Sequence, residues 1–217
     1  MPTVQVDQFL IGDHRNFIYL ITSGKESLVV DPQSDLEPWQ ARAKELGSRL
    51  AGVLLTHTHW DHVAGVPAIV DQYAAEKLPI YVNKLDARRF DSAARDVRDR
   101  LVFVDDGQRI PLGGAHVEVL HTPGHSAGEC CFLVAGSPPR LFTGDTVFVG
   151  DVGRTDLESG STAEMFDTIQ RLKKLPADTI IYPGHDYGRT PTSTIARESA
   201  GSAAFRCATV KELDALP

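Results

Sequence analysis

The stretch Thr56-His57-Thr58-His59-Trp60-Asp61-His62 constrains this chain more than any other. It packs three of the chain's eight histidines and one aspartate into six consecutive positions. Imidazole and carboxylate are the ligand types that suit zinc, iron and manganese. Upstream, Ala51-Gly52-Val53-Leu54-Leu55 is a short apolar run of the kind that forms a buried strand. Downstream, residues 63–70 begin a helix-like segment whose first turn is interrupted by Gly65 and Pro67. The cluster therefore reads as a loop at a strand end. There a rigid sheet holds the backbone, and neighbouring side chains can turn inward around one centre.

Around this loop, strand and helix patterns alternate. Residues 4–11 and 16–21 are apolar-rich and flank the turn-like Gly12-Asp13-His14-Arg15, which predicts a hairpin. Ser27-Leu28-Val29-Val30 gives a third strand. Asp31 closes it, either capping a turn or pointing the chain toward the histidine loop. Leu36, Trp39, Ala43 and Leu46 stand at helical spacing, and Gly47 stops that helix. Residues 79–83, 101–104 and 116–120 read as further strands; His116, inside one of them, has no ligand spacing around it. Lys84 to Arg100 alternates charges densely, as the solvated face of a helix does; its arginines could otherwise meet an anionic substrate. Met165, Phe166, Ile169, Leu172 and Leu175 predict an amphipathic helix over 162–175.

Three later strand-like runs also end in metal-competent residues. Residues 117–120 lead into His121-Thr122-Pro123-Gly124-His125, 141–143 into Gly144-Asp145, and 179–182 into Pro183-Gly184-His185. A lone Gly-His or Gly-Asp is a weak signal, but the recurrence at strand ends is not. A zinc-like ion takes three or four nitrogen and oxygen donors, and a second ion doubles the demand. His57, His59, Asp61, His62, His125, Asp145 and His185 are enough for two ions sharing one carboxylate. The alternation in two similar halves indicates α/β architecture, a sandwich of sheets with helices outside. With 217 residues and no linker-like stretch, residues 1–217 read as a single domain.

Composition removes several function classes. A net charge of −7 leaves no footprint for nucleic acid or an anionic membrane surface. No apolar run reaches the roughly 18 residues of a membrane span. Three cysteines, two of them adjacent, cannot make a disulfide framework, which fits a reducing, cytoplasmic setting. Cys130 and Cys131 lie in a strand pattern, facing opposite sides as small buried hydrophobes.

The set His57-Thr58-His59-Trp60-Asp61-His62, Pro123-Gly124-His125, Gly144-Asp145 and Gly184-His185 closely resembles the metallo-β-lactamase superfamily. The resemblance runs from the first hairpin to about Thr194, and the residues after His185 read as a short tail without the C-terminal helical domain of full-length glyoxalase II. It implies the four-layer αβ/βα sandwich with the metal site at the sheet edge. It also implies that His57, His59 and His125 hold one metal, Asp61, His62 and His185 the other, with Asp145 bridging. An aspartate at 145, where one antibiotic-hydrolysing subclass has cysteine, argues against β-lactamase activity.

Two branches are more similar. The His57–His62 block and Phe142–Gly150 look like the glyoxalase II thioester hydrolases. Gly153-Arg154-Thr155-Asp156 and the segment from Tyr182 to Tyr187 look like the persulfide dioxygenases. The first resemblance implies two divalent ions, zinc or iron, supplying hydroxide that attacks a thioester-like, possibly glutathione-linked substrate. Asp61 would orient the nucleophile or ligate, Arg154 would bind a substrate carboxylate or form a surface ion pair with Asp151 or Asp156, and Tyr187 would donate a hydrogen bond or pack the loop. The second implies one iron(II), held by His57, His125 and Asp145, oxidising glutathione persulfide to sulfite.

Overall fold

In the central strands, alternation sends successive side chains into two different cores, and that is what builds a layered molecule. The computed structural model describes residues 3–90 and 95–216. The first half contains β1 (Val4–Ile11), β2 (Asn16–Ser23), β3 (Glu26–Val30), α1 (Glu37–Leu46), β4 (Arg49–Leu54), α2 (Trp60–Val63) and α3 (Val66–Gln72). It continues with β5 (Ile80–Asn83), α4 (Lys84–Ala87), α5 (Arg95–Arg98) and β6 (Leu101–Val104). These strands form one sheet in simple order, β1 to β6. The hairpin β1–β2 and the β2–β3 pair are antiparallel; β3 to β6 run parallel.

The second half supplies β7 (Arg109–Leu112), β8 (Ala115–His121), β9 (Cys130–Val134), β10 (Arg140–Gly144), α6 (Thr162–Leu172), β11 (Ile180–Pro183) and β12 (Ser193–Thr194). Three helices come next: α7 (Ile195–Gly201), α8 (Ala203–Arg206) and α9 (Val210–Asp214). The second sheet has the order β12-β11-β10-β9-β8-β7. Only its β10–β11 pair is parallel, the two strands being joined through α6.

Three apolar layers hold the sandwich together. Ile18 and Leu20 of β2 join Val29, Trp39, Val53 and Ile69 between the first sheet and its helices. The intervening Phe17, Tyr19 and Ile21 face the other way and meet Val117, Val119, Phe132 and Phe142 of the second sheet. Cys130 belongs to this middle layer, whereas Cys131 faces the outer layer with Met165, Ile169 and Phe205. Burial raises the pKa of both thiols, that of Cys131 to about 12, so they pack as hydrophobes.

Two segments depart from the sequence reading. Lys84–Arg100 is not one solvated helix: α4 ends at Ala87, a 3₁₀ turn covers Arg88–Phe90, and residues 91–94 lie outside the described residues. Asp86 within it is buried, accepting hydrogen bonds from Ser126 Oγ at 2.7 Å and Gly128 N at 2.8 Å. The segment beyond Thr194 is no mere tail, because Ile195, Phe205 and Leu213 complete the outer core of the second sheet. Their short helices carry Thr194, Ser202 and Thr209 as N-caps, each accepting a backbone N–H. Among the described residues, no helix is long and apolar enough to cross a membrane.

Candidate metal centre

Seven ligand-type side chains converge at one end of both sheets. His57, His59, Asp61 and His62 leave the end of β4 on the loop that runs into α2. His125 comes after β8, Asp145 directly after β10, and His185 after β11. The first hairpin ties these loops together: Phe17 N donates to Gly184 O at 2.8 Å, and Asp186 N to Arg15 O at 2.9 Å. Gly144 is the tight point. Its φ is +49°, and a Cβ there would lie 2.3 Å from Thr56 Oγ1 and 2.9 Å from Glu129 Oε1. Only glycine allows the Asp145 loop this close to the histidine loop.

Among the described residues, three sets bring their ligand atoms within 4.8 Å of one another: His57/His59/His125, His57/His62/Asp145 and Asp61/His62/His185. Asp145 faces both flanking groups. Its Oδ2 lies 3.6 Å from His125 Nε2, and its Oδ1 lies 3.4 Å from the Nε2 atoms of both His62 and His185. His125 Nε2 and His59 Nδ1 are 2.9 Å apart, and His62 Nε2 and His185 Nε2 are 3.2 Å apart.

The outer ring nitrogens explain why these atoms point inward. His125 Nδ1 donates to Arg154 O at 2.8 Å and His185 Nδ1 to His14 O at 2.9 Å. His62 Nδ1 donates to Asp31 Oδ2 at 3.0 Å, and His57 Nδ1 to Thr56 Oγ1 at 3.1 Å. Each such bond turns the ring so that Nε2 faces the centre, where a metal ion would replace any proton it carries. Asp31 also accepts from Thr56 N at 2.8 Å and from Thr56 Oγ1 at 2.6 Å, so one buried carboxylate braces the start of the loop.

A divalent cation fits this arrangement on two grounds. His57 Nε2 and Asp145 Oδ1 are buried without a hydrogen-bond partner, and a native fold rarely leaves such atoms unsatisfied. The surroundings also favour positive charge. Burial works against a proton on His62, yet Asp145, Asp31 and Asp61 together hold its pKa up at about 9. Burial works against the Asp145 carboxylate too, but His62, His185 and His125 bring it down to about 2. His57 is pushed well below the usual imidazole range by burial and then by its neighbouring histidines, so it stays neutral and able to ligate.

A cleft of about 720 Å³ opens over the cluster. Its walls include Trp60, Phe148, Leu157 and Tyr187, with Trp60 64% exposed and edge-on to His14. Tyr187 stacks flat on His185, with centroids 4.6 Å apart and planes within 5°. Arg154 also lines the cleft, but both Nε and Nη2 are engaged by Asp156 at 2.6 and 2.7 Å.

Several supporting residues carried no signal as motif members. Glu129 is fully buried beneath the centre; its Oε1 accepts from Asp145 N at 2.7 Å and lies 3.7 Å from His57 Nδ1. Asn16 Nδ2 donates to Asp61 Oδ2 at 3.1 Å, and Gln33 Nε2 donates to the Asp61 carbonyl. A glutamate opening the apolar run Cys130-Cys131-Phe132 was the one visible anomaly in the sequence.

The αβ/βα sandwich carries, at the shared end of its sheets, a His/Asp cluster able to bind metal, and this defines a class of metal-binding proteins. The chain belongs to the metallo-beta-lactamase superfamily, whose family model matches residues 11–185. It is 35% identical over 183 residues to the probable polyketide biosynthesis zinc-dependent hydrolase PksB of Bacillus subtilis, covering 83% of this chain and 77% of that one. It is 38% identical over 186 residues to a hydroxyacylglutathione hydrolase of Aeromonas hydrophila, covering 86% of this chain and 65% of that longer protein. Among solved structures, ETHE1 from Myxococcus xanthus superposes with a TM-score of 0.79 at 25% identity, over 98% of this chain and 92% of that one. A di-iron-bound form of TTHA1623 superposes with a TM-score of 0.74 at 29% identity, over 91% and 98%.

Proposed function

We propose that this protein is a dinuclear metal-dependent hydrolase of thioesters, of the glyoxalase II type. The observation that carries the reading is the pair of triads flanking Asp145, whose two oxygens face one group each. His57, His59 and His125 would hold one ion, and Asp61, His62 and His185 the other, with Asp145 shared. Ions so held would acidify a water toward neutral pH and draw negative charge from a carbonyl.

The remaining work belongs to the chain's own side chains. Asn16 Nδ2 fixes Asp61 Oδ2, the oxygen that faces His62 and His185, and the other oxygen of the same carboxylate would accept a hydrogen bond from the attacking water. Trp60, Leu157 and Tyr187 take the apolar part of the substrate and keep bulk water from the carbonyl. The Tyr187 hydroxyl, on an exposed ring held flat by His185, donates to the substrate. The Arg154 carbonyl acts through His125, while its guanidinium, paired with Asp156, is a rim group that a substrate carboxylate must win from that pair. Hydrolysis of a thioester gives a carboxylic acid and a thiol.

A mononuclear iron dioxygenase acting on a persulfide is the second reading. The resemblance of Gly153–Asp156 and Tyr182–Tyr187 to that branch, and the overall likeness to ETHE1, favour it. Two measurements on the purified, metal-analysed protein separate the readings. The hydrolase reading expects two metal equivalents per chain and release of thiol from a thioester panel. One iron equivalent, with oxygen uptake and sulfite formation from glutathione persulfide, would replace it with the dioxygenase.

A further inference from the structure

A second cavity of about 600 Å³ adjoins the metal cleft, and Val149 and Tyr187 border both. It therefore meets the metal cleft at Tyr187, whose ring is exposed. Two arginines, Arg189 and Arg197, line this cavity. Their situation differs from that of the arginines beside the cleft. Arg154 is paired with Asp156, and Arg15, next to His14, with Asp186 at 2.6 Å. Arg197 makes only long bonds of 3.4 Å to Thr192 O and Thr190 Oγ1, and Arg189 has no bond or ion pair among the described residues.

The one carboxylate lining the cavity, Glu198, is already committed. It is buried, with Oε2 accepting from Gly150 N at 2.8 Å and Oε1 from Ser193 Oγ. Two exposed guanidiniums thus share a concave wall without an ion-pair partner among the described residues, on a chain whose net charge is −7. Guanidinium groups spread their donors in a planar fork that matches the oxygens of a carboxylate or phosphate. Gly201 also lines the cavity. A Cβ at that position meets nothing within 4 Å, and its φ is not one that demands glycine.

We propose that this cavity is an oxyanion subsite, in which Arg189 and Arg197 bind a phosphate or carboxylate on the leaving-thiol arm of the substrate. The inference rests on the thioester-hydrolase reading for the identity of the arm, but the subsite itself is testable without turnover. The natural substrate class is then an extended thioester whose thiol carries an anionic end.

The test uses non-hydrolysable thioethers with the metal-loaded protein in a calorimeter: S-methyl coenzyme A, S-methyl glutathione and neutral S-methyl N-acetylcysteamine. At least one anionic ligand is expected to bind about tenfold or more tightly than the neutral one, and the contrast falls as salt screens exposed charges. Preference for the coenzyme A derivative assigns the cavity to phosphate, and preference for the glutathione derivative to carboxylate. The double variant Arg189→Ala/Arg197→Ala is expected to abolish the contrast. Arg49→Ala/Arg109→Ala, which removes two distant cations, should retain it. Gly201→Leu, which adds a bulky side chain to a residue of the cavity lining without altering charge, should weaken only the anionic ligands. Equal affinity for all three ligands, or a contrast untouched by the double variant, overturns the subsite. An intact contrast with no cleavage of any matching thioester leaves the subsite standing and removes the hydrolase reading instead.

Discussion

The two halves of the molecule contribute to one centre in different ways. The first sheet delivers four ligand-type residues on a single loop after β4, braced from beneath by the Asp31 carboxylate. The second sheet delivers three residues on three separate loops, two of them braced by backbone carbonyls, Arg154 O and His14 O. The first half therefore supports its loop through side chains: Asp31 under Thr56 and His62, and Asn16 and Gln33 on Asp61. The second holds its two histidines by backbone carbonyls, which no side-chain substitution removes, and only Asp145 by a side chain, Glu129. A side-chain brace can be tuned by mutation; a carbonyl brace is only as stable as the loop that carries it.

Asp145→Ala strikes where the halves meet and should have the largest effect. Loss of the group that faces both triads is expected to lower bound metal and to reduce activity by more than about 100-fold, beyond the range for partners that merely orient a ligand. Metal analysis with kinetics on the same sample checks it. Unchanged stoichiometry would break the picture of a shared carboxylate.

Asp31→Ala tests the carboxylate brace under the histidine loop. Metal affinity by chelator competition should fall roughly 10- to 100-fold, and more than for Asp31→Asn. Asparagine keeps an oxygen acceptor and tolerates the φ of +49° at this position. Unchanged affinity in Asp31→Ala would mean that His62 does not depend on this brace, and equal losses in the two variants would mean that the charge, not an oxygen acceptor alone, is what braces it.

Glu129→Ala leaves the buried Asp145 N–H without its acceptor, which costs about 1–3 kcal/mol. The denaturant midpoint should fall accordingly, whereas Glu129→Gln, which retains an acceptor, should lie near the parent. Removing metal with a chelator should lower the melting temperature of the parent, because ions that bind only the folded chain stabilise it by mass action, by about 4 kcal/mol at 1,000 times Kd. The smallest expected effect is none. Cys130 and Cys131 should resist thiol reagents in the native protein and react on unfolding, since burial raises both thiols.

How much could be read in the sequence obeys the same divide between halves. The density of His57 to His62 announced its loop, and period-two alternation put Cys130 and Cys131 on opposite faces without any structure. His125, Asp145 and His185 were legible only as strand-end residues of the same chemical type. Asp31 stood out as a strand terminator, but its bonds to Thr56 and His62 span 25 and 31 positions and left no local trace. Asp86, inside a charge-rich run, looked solvated because composition cannot tell which of several carboxylates turns inward. The short helices after Thr194 lack the length for a periodic signal, so their packing on Met165 and Ile169 came into view only in three dimensions.

By itself, then, the sequence determined the ligand types, their attachment to strand ends and the alternation that makes two-faced sheets, because these depend on neighbours a few residues apart. Only the tertiary structure decided which nitrogen of each histidine faces inward, which carboxylates face the cluster and which bond behind it, and which arginines have no ion-pair partner among the described residues. Those outcomes depend on partners brought together from distant positions, where burial and the available hydrogen-bond acceptors choose among chemically equivalent groups.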